Sequence, residues 1–165
     1  QKKVAVIMGS DSDFPVVRKA GEVLKEFGIP FEMRVLSAHR SPVQVAEFAR
    51  SAADNGFGVI IAAAGMAAHL AGAIAGNTTL PVIAIPVKAK ALEGVDALLS
   101  SVMMPPGVPV ATVGIDGAAN AGHLAAQILA LGDAELTQKL ADFRRRQNEK
   151  NLEADRKMQQ TAKEI

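Results

Sequence analysis

Short apolar runs alternate along the chain with stretches in which apolar residues return every three to four positions. The runs Val4–Met8, Phe31–Leu36, Val59–Ala63, Val82–Ile85 and Val110–Val113 have strand length and composition. Between the first and second, Val16, Ala20, Val23, Leu24 and Phe27 mark one helical face. Val45, Phe48, Ala49, Ala52 and Ala53 do so before the third, and Ala121, Leu124, Ala125, Ile128 and Leu129 after the fifth. Strands that alternate with helices imply right-handed crossovers and a parallel sheet covered on both faces. The pattern therefore predicts an α/β fold, a flavodoxin-like doubly wound five-stranded parallel sheet in three αβα layers, with a C-terminal helix.

Two segments depart from minimal strand–helix units. Lys88–Val108 is a long connection with a short helix expected at Leu92–Val102, ahead of Pro105-Pro106-Gly107. The tail from Asp133 to Ile165 carries Leu136, Leu140 and Phe143 and then turns almost wholly polar. It reads as a helix docked at its start and, beyond that, exposed or lying on a neighbouring subunit. With no repeat, linker or low-complexity tract, residues 1–165 read as a single domain. The stretch from Asn55 to Val87 has no Asp, Glu, Lys or Arg, yet glycines, His69, Asn77 and Pro81 interrupt it. A buried strand–helix–strand fits it better than a membrane span.

Composition narrows the chemistry. Apolar residues make up 49% and charged residues 21%, with a formal charge of +1. That charge, with no basic patch interleaved with aromatics, gives no case for nucleic acid. The absence of cysteine excludes disulfides, thiolate zinc sites and cysteine nucleophiles, and fits a cytoplasmic protein. Gln1-Lys2-Lys3 leads straight into the first strand, so no signal peptide is expected.

In doubly wound sheets ligands bind beyond the carboxyl ends of the strands, near the switch point. Three of those ends stand out: Gly9-Ser10-Asp11-Ser12-Asp13, Ser37-Ala38-His39-Arg40-Ser41, and Ala64-Gly65-Met66-Ala67-Ala68-His69. If the strand order begins 2-1-3, all three meet on one rim. Two carboxylates repel a bare phosphate but suit sugar hydroxyls. A sugar phosphate reconciles the first two loops, with amides, Ser10 or Ser12 and Arg40 on the phosphate and Asp13 on the ribose. Plain helix capping is the competing reading of the first loop. With no Cys and no Tyr, only the three histidines titrate near neutrality unaided. His39, at a strand end, is the leading general acid/base. His69 divides evenly between a structural and a site role, and His123, opposite its helix's apolar stripe, is expected at the surface or an interface. One His with two Asp is a weak metal signal, so no metal is assigned.

The blocks "VIMGSDSD", "VLSAHRSP", "GMAAHLAG", "LPVIAIPV", "GVDALLSSV", "MPPGVPVATV" and "AANAGHLAAQIL" stand in order over roughly residues 4 to 145. In these the chain resembles the PurE family of purine biosynthesis. The resemblance implies an isomerase, a mutase that moves a carboxylate from the exocyclic nitrogen of N5-carboxyaminoimidazole ribonucleotide to C4 on the way to IMP. It implies His39 as proton carrier, Ser10, Asp13 and Arg40 as substrate contacts, and Ser12 and Ser37 on the phosphate, with Ala38 in the same loop. Ala64, Gly65, Ala67, Ala68, His69 and Leu70 are implied around the imidazole and carboxylate. The family assembles as octamers with sites at subunit boundaries. An aminoimidazole is already electron-rich, so no electron-sink cofactor is needed.

The family has a second class, which carboxylates aminoimidazole ribonucleotide directly with CO2, and the Ala67-Ala68-His69-Leu70 turn favours the mutase over it. Met66 stands where many relatives have a second Gly and Met103 where they have Gln. The loop before Gly117 is also shorter than in others. Outside the family, a flavodoxin-like binding protein shares the expected fold, but the chain has no Trp or Tyr to stack a flavin. A phospho-accepting receiver needs an aspartate where Ala63-Ala64-Gly65 stands.

Overall fold

Residues 1–165 are described by a computed structural model. The strands are β1 (Lys3–Met8), β2 (Phe31–Val35), β3 (Phe57–Gly65), β4 (Val82–Val87) and β5 (Ala111–Thr112). They form one parallel sheet in the order β2-β1-β3-β4-β5. The helices are α1 (Phe14–Glu26), α2 (Pro42–Ser51), α3 (Leu70–Ala75), α4 (Val95–Val102), α5 (Ala118–Ala130) and α6 (Ala134–Ala162).

Alternation along each strand divides its apolar residues between two cores. Val4, Val6, Ile61 and Ile85 point to one face, under Val17, Ala20 and Leu24 of α1 and Ala121 and Ala125 of α5. Ala5, Ile7, Ile60 and Ala84 point to the other, under Val45 and Ala49 of α2 and Leu70 and Ile74 of α3. Burial on both faces is why the central strands read as unbroken apolar runs rather than alternating ones.

The expected doubly wound sheet is present, with local differences that have physical causes. The helix expected from Leu92 starts at Val95, because Glu93 and Gly94 take left-handed φ angles of 57° and 90° that no α-helix continues. β5 shrinks to two residues, pairing only Ile83 and Ala84 of β4. β2 ends at Val35, although the amide of Leu36 still donates to the Met8 carbonyl at 3.0 Å. Being an edge strand, it leaves Arg34 and Val35 exposed, so the sheet is not fully covered there.

The tail is one 29-residue helix, α6, capped by the Asp133 carboxylate, which accepts from the Leu136 amide at 3.0 Å. Leu136 is buried, Leu140 and Phe143 lie against the core, and every residue from Arg144 onward is exposed. No helix is long and apolar enough to cross a membrane.

Candidate active site

The order β2-β1-β3 brings the three unusual loops together, as the sequence requires. They meet, with the end of β4, around a cleft of about 470 Å3 at the carboxyl edge of the sheet. The cleft stands at the switch point, where the chain's connections diverge from β1 toward opposite edges.

The loop after β1 settles its own capping question. Ser10 Oγ accepts from the Ser12 amide at 3.3 Å and lies 2.9 Å from Ser12 Oγ, so Ser10 closes the short 3-10 turn Asp11–Asp13. Asp13 occupies the N-cap position of α1, yet its side chain makes no capping bond. A carboxylate held at a helix start without capping it is free for a ligand. Burial pushes the Asp13 carboxyl above its ordinary range, a backbone contact with Ser10 opposes this, and the nearby Asp116 charge adds to it.

The loop after β2 is latched from within. Ser41 Oγ accepts from the Ser37 amide at 2.9 Å and donates to the Ser37 carbonyl at 3.1 Å, while Ser37 Oγ accepts from the Arg40 amide at 3.1 Å. Pro42 then starts α2 with its φ already helical. The latch fixes the backbone that carries His39 and Arg40, and the Arg40 guanidinium forms no ion pair within the chain.

The turn after β3 brings His69 back to face His39. His39 Nε2 and His69 Nδ1 are 2.8 Å apart, with ring centroids at 4.9 Å and planes at 79°. Met66, with φ of 54°, makes the left-handed bend that a glycine would make without strain.

Of the residues singled out in the sequence, Ser10, Ser12, Asp13, Ser37, Ala38, His39, Arg40, Ala64, Gly65, Ala67, His69 and Leu70 all line the cleft. Ala68 is the exception: it is 2% exposed and does not line the cavity, and its amide donates to the Met66 carbonyl at 2.9 Å. His123, expected at the surface or an interface, is half-buried and lies outside the cleft; it packs edge-on against Phe27, centroids 5.6 Å apart, and at a tilt against Phe143 of α6 at 4.7 Å. Sequence reasoning missed Val87, Lys88 and Ala89, which also line the cleft. The signal was available, since they follow a fourth apolar run just as the other loops follow theirs. No three His, Asp or Glu side chains gather into a metal-ligand set.

Fold and cleft together define an α/β enzyme with its site at the sheet's carboxyl edge, built to hold a small polar molecule beside a histidine pair. Comparison with known proteins makes this specific. The family model described as AIR carboxylase matches residues 3–150, and the chain belongs to that family. The N5-carboxyaminoimidazole ribonucleotide mutase of Pyrococcus abyssi is 56% identical over 142 residues, covering 86% of this chain and 82% of its own. The mutase of the same name from Methanocaldococcus jannaschii is 51% identical over 160 residues, covering 97% of this chain and 99% of its own. Among solved structures, Treponema denticola PurE superposes with a TM-score of 0.87 at 30% identity, covering 95% of this chain and 98% of that one.

Proposed function

We propose that the protein is the mutase that converts N5-carboxyaminoimidazole ribonucleotide to 4-carboxyaminoimidazole ribonucleotide in purine biosynthesis, with His39 as its proton carrier. The observation that carries this reading is the convergence of His39, an unpaired Arg40 and an uncapping Asp13 on one cleft. The relatives' shared name gives the reaction.

The chemistry follows from the residues. The N-carboxylate leaves as CO2 when its C–N bond breaks, and the nitrogen takes a proton from His39. The electron-rich ring carbon C4 then attacks the trapped CO2, and the C4 proton returns to His39. One group that gives and takes both protons closes the cycle with no net change in the enzyme. Ala64 and Ala67 supply small walls that keep CO2 beside the ring and water away from it. Ser10, Ser12, Ser37 and Arg40 take the phosphate, and Asp13 takes the ribose hydroxyls. Ala38, Gly65, His69 and Leu70 complete the wall around the imidazole.

The chain works as a homo-oligomer in this reading, an octamer as the family resemblance implies. Leu92, Val95, Leu99, Val102 and Met103 form an exposed apolar stripe along α4, which a second copy would cover. The distal half of α6, with exposed Leu152 and Met158, is placed to lie on a neighbour. A charged nucleotide does not cross membranes unaided, which fits work in the cytoplasm.

The test is an absorbance assay for the 4-carboxylated product. It is run once from the N5-carboxylated nucleotide and once from aminoimidazole ribonucleotide with bicarbonate. Rapid conversion of the first, with slow use of the pair, is the expected result. The reverse preference would make the protein a direct carboxylase.

A further inference from the structure

The residues that line the cleft include two cations, Arg40 and Lys88, and one carboxylate, Asp13. Arg40 follows β2 and Lys88 follows β4, at opposite ends of the row β2-β1-β3-β4. The ends of those two strands are about 14 Å apart, three strand spacings. Long side chains rooted there can converge on one anion above β1 and β3.

The substrate carries two anionic groups, a phosphate and an N-carboxylate. The carboxylate must lose its charge to become CO2. A cation held on it stabilises the reactant more than the transition state and slows the reaction. The phosphate keeps its charge throughout, so a cation there binds reactant and transition state alike.

Lys88 is rooted firmly and tipped loosely. Its amide donates to Asp116 Oδ1 at 2.9 Å, which fixes the backbone at the end of β4. Its ammonium lies 2.5 Å from Glu93 Oε2, in a pair whose side chains are 53% and 65% exposed. So exposed a pair is strongly screened, and a phosphate dianion can take the place of one carboxylate.

The geometry points to Lys88 as a second phosphate ligand of the cleft, held by Glu93 in the free enzyme and passed to the substrate on binding. This rests on the reading of the cleft as the nucleotide site. Its consequence is specific to this chain: Glu93 competes with substrate for Lys88, so removing either partner shifts affinity in opposite directions.

Ribose 5-phosphate tests this, because it carries the phosphate but neither imidazole nor carboxylate. Its competitive inhibition constant is measured on the whole protein alongside KM for the N5-carboxylated nucleotide. Lys88→Met raises both about tenfold, with kcat changed less than about threefold, as expected for an interaction equal in ground and transition states. Glu93→Gln lowers both. An inhibition constant unchanged in Lys88→Met, with KM raised or not, would overturn the phosphate assignment. So would weaker inhibition of Glu93→Gln. Wild-type protein that does not convert the nucleotide would overturn the reading of the cleft, and this assignment with it.

Discussion

His39 Nε2 and His69 Nδ1 share one hydrogen bond of 2.8 Å across the mouth of the cleft. One of the two nitrogens carries the proton and the other accepts it, so the bond to His69 occupies Nε2 of His39 and leaves Nδ1 to other partners. A single imidazole can nonetheless complete the proton cycle of the mutase reaction. His69→Phe is therefore expected to lower kcat by only about threefold to tenfold, small beside the 10²–10⁴-fold usually supplied by the acting acid/base. Loss as deep as that of a His39 variant would show that the pair works as a relay.

His39→Asn removes the proposed proton carrier and keeps a polar side chain. Turnover should fall by at least about 10²-fold, while equilibrium binding of the nucleotide by calorimetry stays within a few-fold of wild type. If binding and turnover collapsed together, His39 would be a binding residue only.

Asp13 illustrates a conflict between stability and function. Its carboxyl titrates above 3.8 in the folded protein, chiefly because it is buried. The folded state thus holds its proton to higher pH than the unfolded state does. This group's unfavourable contribution therefore grows as pH rises from 3.8 through the folded value, and it is fully present at neutrality. Asp13→Asn should raise the melting temperature slightly at pH 7, by the equivalent of a few tenths of a kcal/mol once solvent screening is allowed for. That gain should vanish below pH 3.8. The same change should raise KM about tenfold or more, since a charged hydrogen-bond acceptor is worth about 1.5–3 kcal/mol. A variant that is no more stable at pH 7 and binds normally would contradict both halves.

How far the fold was legible depended on where the signal lay. The parallel sheet followed from alternation and the crossover rule, because each apolar run serves two buried faces, while the meeting of the loops after β1, β2 and β3 hung on the order β2-β1-β3 that the sheet has. Residue types at strand ends then pointed to His39, Arg40 and Asp13 without coordinates. That Ala68 alone of its turn stays off the lining was not legible, since the turn includes a left-handed residue, Met66, that no periodicity reports. Lys88 was missed because its ion pair with Glu93 makes it look like ordinary loop charge. The docking of α6 over His123 depends on Phe143, 20 positions further on in the chain and on a different helix, a separation no local period reports.

His123 gives α6 a pH dependence. Burial between Phe27 and Phe143 holds its imidazole below 6.5, Glu26 opposes this and Arg144 adds to it. The unfolded chain binds a proton near pH 6.5 that the folded protein resists. The stability of the neutral form is therefore present above that pH and is lost as pH falls through the folded value. His123→Leu should narrow the gap between melting temperatures at pH 8 and pH 5. Parallel curves for variant and wild type would remove His123 from the acid response.

At Gly122 the helix α5 lies close against α1. A Cβ at this position would lie 2.9 Å from the Ala20 carbonyl oxygen and 2.9 Å from Val23 Cβ, so a main-chain atom and a stiff branched side chain would both have to yield. Gly122→Ala gains helix propensity of about 1 kcal/mol but forces the two helices apart in a packed core, at about 1–3 kcal/mol for overpacking. Because the obstacle is backbone, the cost should take the upper end and win. The melting temperature should fall by about 2–8 °C. A variant as stable as wild type would mean that the helices can separate freely, and that the small residues along α5 are not what sets their spacing.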